Sequence, residues 1–436
     1  MMKILVVSYE VWRNDNNGGN VLSSIFEEFD AEFAQIYCTG GVPDNDICEK
    51  YYQITDGQII SSLFHGTHPG KKLEMTATCI GKDNISDGNM KEKSLSILYK
   101  LRWPVFLAAR EVLWHTAKWK TPELETFIRE FNPDIIFAPC YGILHMLNMD
   151  EYVKKLTGCP MISYISDDSF SLKRLSFSPV FWIDRIIVRK KIRALFKLYD
   201  LVYTMTDDQK VEYESALGTP MKILCKCGEF SFPAKSDVHR PIRFIYAGGL
   251  YLNRWKILSE IGKTLDSINN GKNQARLDIY STSKLTDKQR MILGESKSIT
   301  LNPPVNANKL SELYSECDVA LHVESFDLKN SLATRLSFST KIIDCLNSGC
   351  ATVAIGPRGQ AGINYLERTD AAICIRKFED IKPTLVGLIE NPKLICEYVE
   401  KARIVGKKNH QKTVVHEMIK NDFNNIMRNA DESCAN

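Results

Sequence analysis

Short runs of β-branched and apolar residues alternate with longer stretches of helical periodicity along the whole chain, and this alternation limits the fold more than any other feature. Strands that recur with a helix between them pair in parallel, because each crossover returns the chain to the same end of the sheet. In the first half the predicted strands are Lys3–Ser8, Ile135–Ala138, Met161–Ile165 and Leu201–Thr204. In the second half they are Arg243–Ala247, Leu277–Tyr280, Val319–Val323, Ala351–Ile355 and Ala371–Ile375. The polar stretch CGEFSFPAKSDVHRPIR, with Pro233 and Pro241, separates the halves as a linker would. The expected fold class is therefore α/β, with two Rossmann-like, doubly wound domains facing across a cleft. Residues 1–232 form the first domain and 233–405 the second. Residues 406–436 form a terminal helix that crosses back to the first domain and ends in a disordered polar tail, Asn429–Asn436. Ligands of such sheets bind beyond the carboxyl ends of the strands, which puts the site in the cleft.

A chain of 436 residues exceeds what one core sustains, consistent with two or three domains. A net charge of only +3 gives no electrostatic case for nucleic acid as a partner. The thirteen cysteines show no paired spacing, so free thiols in a reducing compartment are expected rather than a disulfide framework. The opening MMKILVVSYEVW reads as a first strand and not a signal peptide, and no uncharged apolar run is long enough to span a bilayer. The expected location is cytoplasmic, or peripheral on the inner face of the membrane.

Phe338–Pro357, FSTKIIDCLNSGCATVAIGP, carries the densest ligand-site grammar. Ser339 and Thr340 can cap a helix whose first amides attract phosphate, and Lys341 adds a cation. Asp344, about one turn further in, can meet sugar hydroxyls, and Gly349 ends the helix before a buried strand. The alternative is that Lys341 and Asp344 form an i,i+3 surface pair. Among the histidines, His65 and His68 form a loop H-x-x-H, His115 lies among tryptophans and His145 falls on a helix; all are read as structural or solvated, with no metal-ligand cluster.

With these residues in view, the chain resembles a known family. A first strand followed by Gly18-Gly19, FNPDIIFAP (Phe131–Pro139), YDLVYTMTDDQ (Tyr199–Gln209), FIYAGGL (Phe244–Leu250), LSELYSECDVALHV (Leu310–Val323) and Phe338–Pro357 occur in the order of a GT-B fold glycosyltransferase. The likeness is nearest to glycosyltransferase family 4 and related enzymes of bacterial surface-polysaccharide assembly. The resemblance implies transfer of a sugar from a nucleotide diphosphate sugar to a hydroxyl acceptor, a glycan or glycolipid, with no metal or other cofactor required. It implies a donor site after the first strand of the second domain, where Gly248, Gly249, Arg254 and Lys256 hold diphosphate, Arg254 standing at the family's lysine position and Gly249 replacing its arginine. Asp344 matches the second of two family acids and is assigned the ribose, but Leu336 stands where the first is found. Glu324 and Asp327 are candidate replacements, and Arg335 a further phosphate contact. In the first domain Gly18, Gly19 and Asn20, ahead of a Val21–Phe29 helix, offer amides to the donor, while Asp167 and Asp168 occupy the cleft edge where inverting enzymes place a base. Two other readings stay open: a nucleotide-sugar 2-epimerase of the same fold, and a non-catalytic nucleotide-sugar or glycan-binding relative. For both aspartates the alternative is a helix cap with a solvated neighbour, and for Arg254 an exposed helix residue.

Two segments combine cations with apolar residues. Residues 98–120 carry Lys100, Arg102, Arg110, Lys118 and Lys120 among Trp103, Phe106, Trp114 and Trp119. Residues 181–199 set Arg185, Arg189, Arg193 and Lys197 in one i,i+4 stripe, with Ile183, Ile187, Ile192, Leu195 and Tyr199 on other faces. Both can lie on an anionic membrane surface, and both can be ordinary domain helices with solvated basic faces.

Overall fold

The computed structural model describes residues 1–14, 17–74 and 103–435. It contains two sheets. The first runs β4-β3-β2-β1-β5-β6-β7-β8, from β1 (Met2–Ser8), β2 (Ala31–Tyr37), β3 (Lys50–Gln53), β4 (Lys71–Glu74), β5 (Ile135–Pro139), β6 (Met161–Ile165), β7 (Leu201–Thr204) and β8 (Met221–Ile223). Only the β3–β4 pair is antiparallel. The second runs β11-β10-β9-β12-β13-β14, from β9 (Ile242–Ala247), β10 (Ala275–Tyr280), β11 (Ile299–Asn302), β12 (Val319–Val323), β13 (Ala351–Ile355) and β14 (Ile373–Ile375), all parallel. In both sheets the strand order reverses beside the first strand, between β1 and β5 and between β9 and β12. Adjacent helices leave these two points in opposite directions and open a crevice at each.

All nine predicted strands are present, with ends shifted by at most two residues. The unpredicted ones, β2, β3, β4, β8 and β11, are short or interrupted by polar residues. In β2 the buried Gln35 accepts from the Trp12 amide (3.1 Å) and donates to the Ser8 hydroxyl (2.6 Å), so a side chain that looks like a loop residue is satisfied inside the sheet.

The 405/406 boundary expected from sequence falls inside a helix, Lys393–His410, which packs on β13; the break comes at Gln411. The next helix, Lys412–Ala435, returns to the first domain, where Phe423 meets Phe26, Phe29 and Phe137 and Asp422 bonds Tyr203 and Lys222. The tail expected to be disordered continues this helix to Ala435, because Ile419, Phe423 and the half-buried Ile426 and Met427 keep an apolar face against the first domain. The two crossings between domains touch: the Gly228 amide donates to the His410 carbonyl (2.9 Å) and the Lys412 amide to the Gly228 carbonyl (3.0 Å).

His410 is packed at this crossing among Phe230, Phe338 and Tyr365, with Nε2 2.7 Å from the Tyr365 hydroxyl. Burial pushes its pKa down to about 4, and burial beside Arg254 pushes His322 down to about 3. Each stays neutral in the fold and takes a proton in the unfolded chain below the ordinary value of 6.5, so stability is present above pH 6.5 and declines as the pH falls toward the folded values. At pH 5 each is expected to cost about 2 kcal/mol relative to pH 7. Thermal denaturation at the two pH values checks this, and His410→Phe is expected to reduce the difference.

Candidate functional site

The carboxyl ends of β9 and β12 bring four ionisable side chains together. After Ala247 the chain turns through Gly248 and Gly249, passes through left-handed Leu252 and Asn253, and enters the helix Arg254–Asn269 with Arg254 as its first residue. Glu324 follows the last residue of β12, and its amide donates to the Ile355 carbonyl (2.7 Å). The two elements thereby place the Arg254 Nη2 2.7 Å from the Glu324 Oε1, both side chains more than nine-tenths buried. The guanidinium also lies over the Tyr251 ring at 5.1 Å. His322, on β12, holds its Nε2 3.8 Å from the same Glu324 oxygen. Lys341 points back over the Tyr246 ring (5.7 Å), and a Cβ on Gly248 would lie 2.2 Å from its Nζ, so only glycine at 248 admits the ammonium.

Burial raises the Glu324 carboxyl despite Arg254 and Lys341, and burial together with the Arg254 charge lowers Lys341 to about 8. Arg254 has a carboxylate partner, whereas Lys341 makes no ion pair among the described residues. The Glu324 Oε2 and the Arg254 Nε are buried without hydrogen-bond partners. Two cations and a carboxylate with spare bonding capacity thus sit at the switch point of the second sheet. Gly248→Ala is expected to displace the Lys341 ammonium and raise its pKa toward the ordinary lysine value, read by 15N-resolved titration of the lysine side chain, with the fold retained.

The other predicted residues fall as follows. Lys256 is exposed on the far side of the helix start, against the Trp255 ring (5.8 Å), away from the cluster. A Cβ on Gly249 would meet the Tyr251 ring at 2.1 Å. The helix expected to be capped by Ser339 and Thr340 is the six-residue Lys341–Leu346, and neither caps it: Thr340 is itself in the right-handed helical region and makes no side-chain cap bond. Asp344 is paired with Lys226 (2.8 Å), just before the linker, and not with Lys341 in the expected i,i+3 surface pair. Asp327 caps the helix Leu328–Thr334 and is held at about 2 by its hydroxyl, amide and asparagine donors, which outweigh burial. Leu336 is buried in the first domain's core. Arg335 makes a two-point bond to Glu212 across the cleft (2.7 and 2.8 Å).

In the first domain Gly18 and Gly19 lie within the first turn of the helix Asn17–Phe26 instead of a loop before it. The Gly18 amide donates to the Glu10 carboxylate (3.2 Å), and Gly19 packs so close to the Arg13 backbone that a Cβ would be 2.1 Å from its carbonyl oxygen. Asn20 is exposed. Asp168 is a structural carboxylate: it accepts from the Phe170 and Ser171 amides, the Ser171 and Tyr213 hydroxyls and Arg185, which hold it below the usual range against its burial. With its oxygens so occupied it offers no base. Asp167 is exposed and accepts from the Ser337 hydroxyl of the other domain (2.7 Å). Sequence reading passed over Tyr246, Lys226 and Glu10; it also passed over His322, although a histidine inside the apolar run VALHV is itself a signal.

The first half of the basic stripe of 181–199, Arg185 and Arg189, faces inward, whereas Arg193 and Lys197 are exposed. Arg185 donates to the Ser171 and Asp168 carbonyls, and Arg189 donates to the Phe170 carbonyl and stacks on its ring at 4.1 Å. What faces outward is Ile183, Ile186 and Ile187, beside Phe177, which is 95% exposed. Of the three tryptophans in 98–120, Trp114 and Trp119 are buried and only Trp103 is exposed; residues 98–102 lie outside the described residues. No helix among the described residues is long and apolar enough to cross a membrane.

No family model matches this chain, and no curated protein matches it. Solved structures do. HepE of Anabaena in complex with UDP is similar over 97% of this chain and all of its own, at 12% identity and a TM-score of 0.61. Sucrose-phosphate synthase of Thermosynechococcus elongatus is similar over 98% and 100%, at 11% and 0.60. A structure described as trehalose-6-phosphate from E. coli bound with UDP-2-fluoro glucose is similar over 97% and 98%, at 10% and 0.59. At such identities the likeness is one of fold, and the fold is GT-B: two α/β domains with parallel-sheet cores.

Proposed function

We propose that this chain is a glycosyltransferase that moves a sugar from a nucleotide diphosphate sugar to a hydroxyl acceptor in cell-surface polysaccharide assembly. The observation that carries the reading is the pair Arg254 and Lys341 at the β9–β12 switch point. A departing nucleoside diphosphate gains negative charge, and fixed cations in a water-poor site stabilise that charge far more than water does. Lys341 is the readier of the two, having no ion-pair partner among the described residues. Donor phosphate competes with Glu324 for Arg254, which turns the Glu324 carboxylate toward the sugar. Asp344 exchanges Lys226 for the ribose hydroxyls, and Asp167, at the cleft edge, is the candidate base for the acceptor hydroxyl. That structures of the same fold are described with UDP, UDP-2-fluoro glucose or glucose-6-phosphate supports a nucleotide-sugar donor and a sugar acceptor.

The acceptor is proposed to be lipid-linked. Ile183, Ile186 and Ile187 share one outward helix face next to exposed Lys190 and Lys197, an arrangement suited to an anionic leaflet. Cosedimentation is expected with phosphatidylglycerol vesicles and not with phosphatidylcholine vesicles, and to be lost in Ile183→Ser/Ile187→Ser.

The transfer itself is tested by incubating the protein with a panel of nucleotide sugars and following free nucleoside diphosphate. Release with one donor, lowered about a hundredfold or more by Arg254→Ala, supports it. Conversion to another sugar nucleotide without free diphosphate identifies a 2-epimerase of this fold. Saturable binding without turnover of any donor identifies a non-catalytic relative.

A further inference from the structure

The helix Leu328–Thr334 starts at the donor cluster and ends on the first domain. Its cap, Asp327, follows Glu324 closely in sequence and accepts from the side chain of Asn253 (3.1 Å), the residue before Arg254. At the other end the chain is fastened across the cleft. The Arg174 guanidinium joins the Ala333 carbonyl (2.6 Å) to the Asp168 carbonyl (2.5 Å). Arg335 holds Glu212 at two points, and the Ser337 hydroxyl donates to Asp167 (2.7 Å).

Between these bonds Leu336 is 1% exposed and belongs to the apolar cluster of the first domain, whose other buried members among the described residues all lie between Leu5 and Met221. It is a second-domain residue seated as a knob in the first domain's core. The segment is equally firm on its own side, where the Arg335 carbonyl accepts from the Ala361 amide (2.8 Å) and Gln360 donates to the Ser331 carbonyl (2.8 Å). Arg368, on the helix that begins at Ala361, adds bonds to Asp207 (3.0 Å) and Asp208 (2.9 Å), at the start of the helix that carries Glu212. Opening the cleft along this edge would expose Leu336 and part charge-assisted pairs, so packing and electrostatics oppose it together.

A helix of this length spans about 10 Å and does not stretch, so it fixes how far Asp167 stands from Arg254 and Glu324. We propose that Leu328–Thr334 is a strut that keeps Asp167, the candidate base, in register with the donor cluster, and that Leu336 and Arg335 are its positioning residues. This accounts for the apolar residue at 336, where the family likeness expects an acid: a carboxylate there would be buried in apolar surroundings, which is costly without a partner. The catalytic role rests on the transferase reading, whereas the fastening of the domains does not.

The test compares the natural chain with Leu336→Glu, which supplies the acid of the family, and with Arg335→Glu, which sets two carboxylates against each other. Solution X-ray scattering is expected to show a larger radius of gyration in both, returned to the natural value by Leu336→Met and by Arg335→Glu/Glu212→Arg. With the donor that the nucleotide-sugar panel identifies, kcat is expected to fall about tenfold or more in both acidic variants, as for a reacting group displaced by ~1 Å. The donor KM is expected to stay within about twofold, because the donor cluster belongs to the second domain alone. Rates are measured well below each variant's melting temperature, and the two rescuing variants are expected to recover kcat. Arg335 and Glu212 are half-buried, so their exchange keeps the proposal testable where Leu336→Glu fails to fold. Unchanged scattering in both acidic variants overturns the proposal. So does a rise in turnover with Leu336→Glu, which would make position 336 a sugar contact, or a loss of kcat that the charge exchange leaves unrepaired. A natural chain that turns over no donor removes the transferase reading and the strut's catalytic role with it, and the scattering result then decides the fastening separately.

Discussion

Lys341→Met is expected to make the protein more stable while removing most of its affinity for nucleoside diphosphate. The ammonium is held over Gly248 and the Tyr246 ring, close to Arg254, and burial with that neighbouring cation lowers its pKa from 10.5 to about 8. The unfolded chain therefore holds this proton more tightly than the folded one does. The destabilisation is complete below pH 8 and is relieved as the pH rises from about 8 toward 10.5. At pH 7 it amounts to about 3 kcal/mol, which methionine, of similar length and without charge, removes. Thermal denaturation should show a higher melting temperature at pH 7, a gain that shrinks above pH 8. Binding moves the opposite way. An anion prefers the protonated lysine, so affinity for nucleoside diphosphate is expected to be flat below pH 8 and to fall as the pH rises above it. Calorimetry in buffers of different ionisation enthalpy should register proton uptake near pH 8 in the natural protein and none in the variant. Unchanged stability with unchanged affinity in Lys341→Met would remove this residue from the donor site.

Arg254→Ala is expected to be costly in both respects. It leaves Glu324 more than nine-tenths buried without its countercharge, and one-sided removal of a buried pair typically costs about 3–5 kcal/mol. Burial already raises the Glu324 carboxyl, so without Arg254 it will take up a proton more readily. The variant should thus regain stability as the pH is lowered, because a carboxyl whose folded pKa exceeds its unfolded one stabilises only while protonated. Adding Glu324→Gln should recover most of the melting temperature at pH 7, since the amide needs no countercharge. It should not recover release of nucleoside diphosphate, since the cation is still missing. Recovery of release in the double variant would mean that Arg254 acts only to neutralise Glu324.

These two residues also show how far the sequence could be read. Arg254 and Glu324 were each legible as site candidates from their positions after β9 and β12, because strand ends in such sheets are where ligands bind. Their mutual bond was not, since 70 residues separate them and no local pattern relates them. Asp168 and the arginine stripe show the same limit from the other side. Spacing at i,i+4 established that Arg185 and Arg189 share a helix face, but whether that face meets water or the turn at Asp168–Ser171 depended on a loop that the periodicity of the helix does not describe. Ser339 and Thr340 have the right chemistry for caps, but the chain reaches Lys341 already in helical conformation, which leaves their hydroxyls no cap to make.

By itself the sequence determined the two doubly wound domains, nine of the strands, and the segments that end at the cleft. It did so because strand and helix periodicity are local and survive reading one stretch at a time. The tertiary structure decided which charges meet: Arg254 with Glu324, Asp344 with Lys226, Glu10 with the Gly18 amide, and Lys341 in no ion pair among the described residues. Electrostatic partners are chosen by distance in space and by burial, and both are set only when distant segments pack.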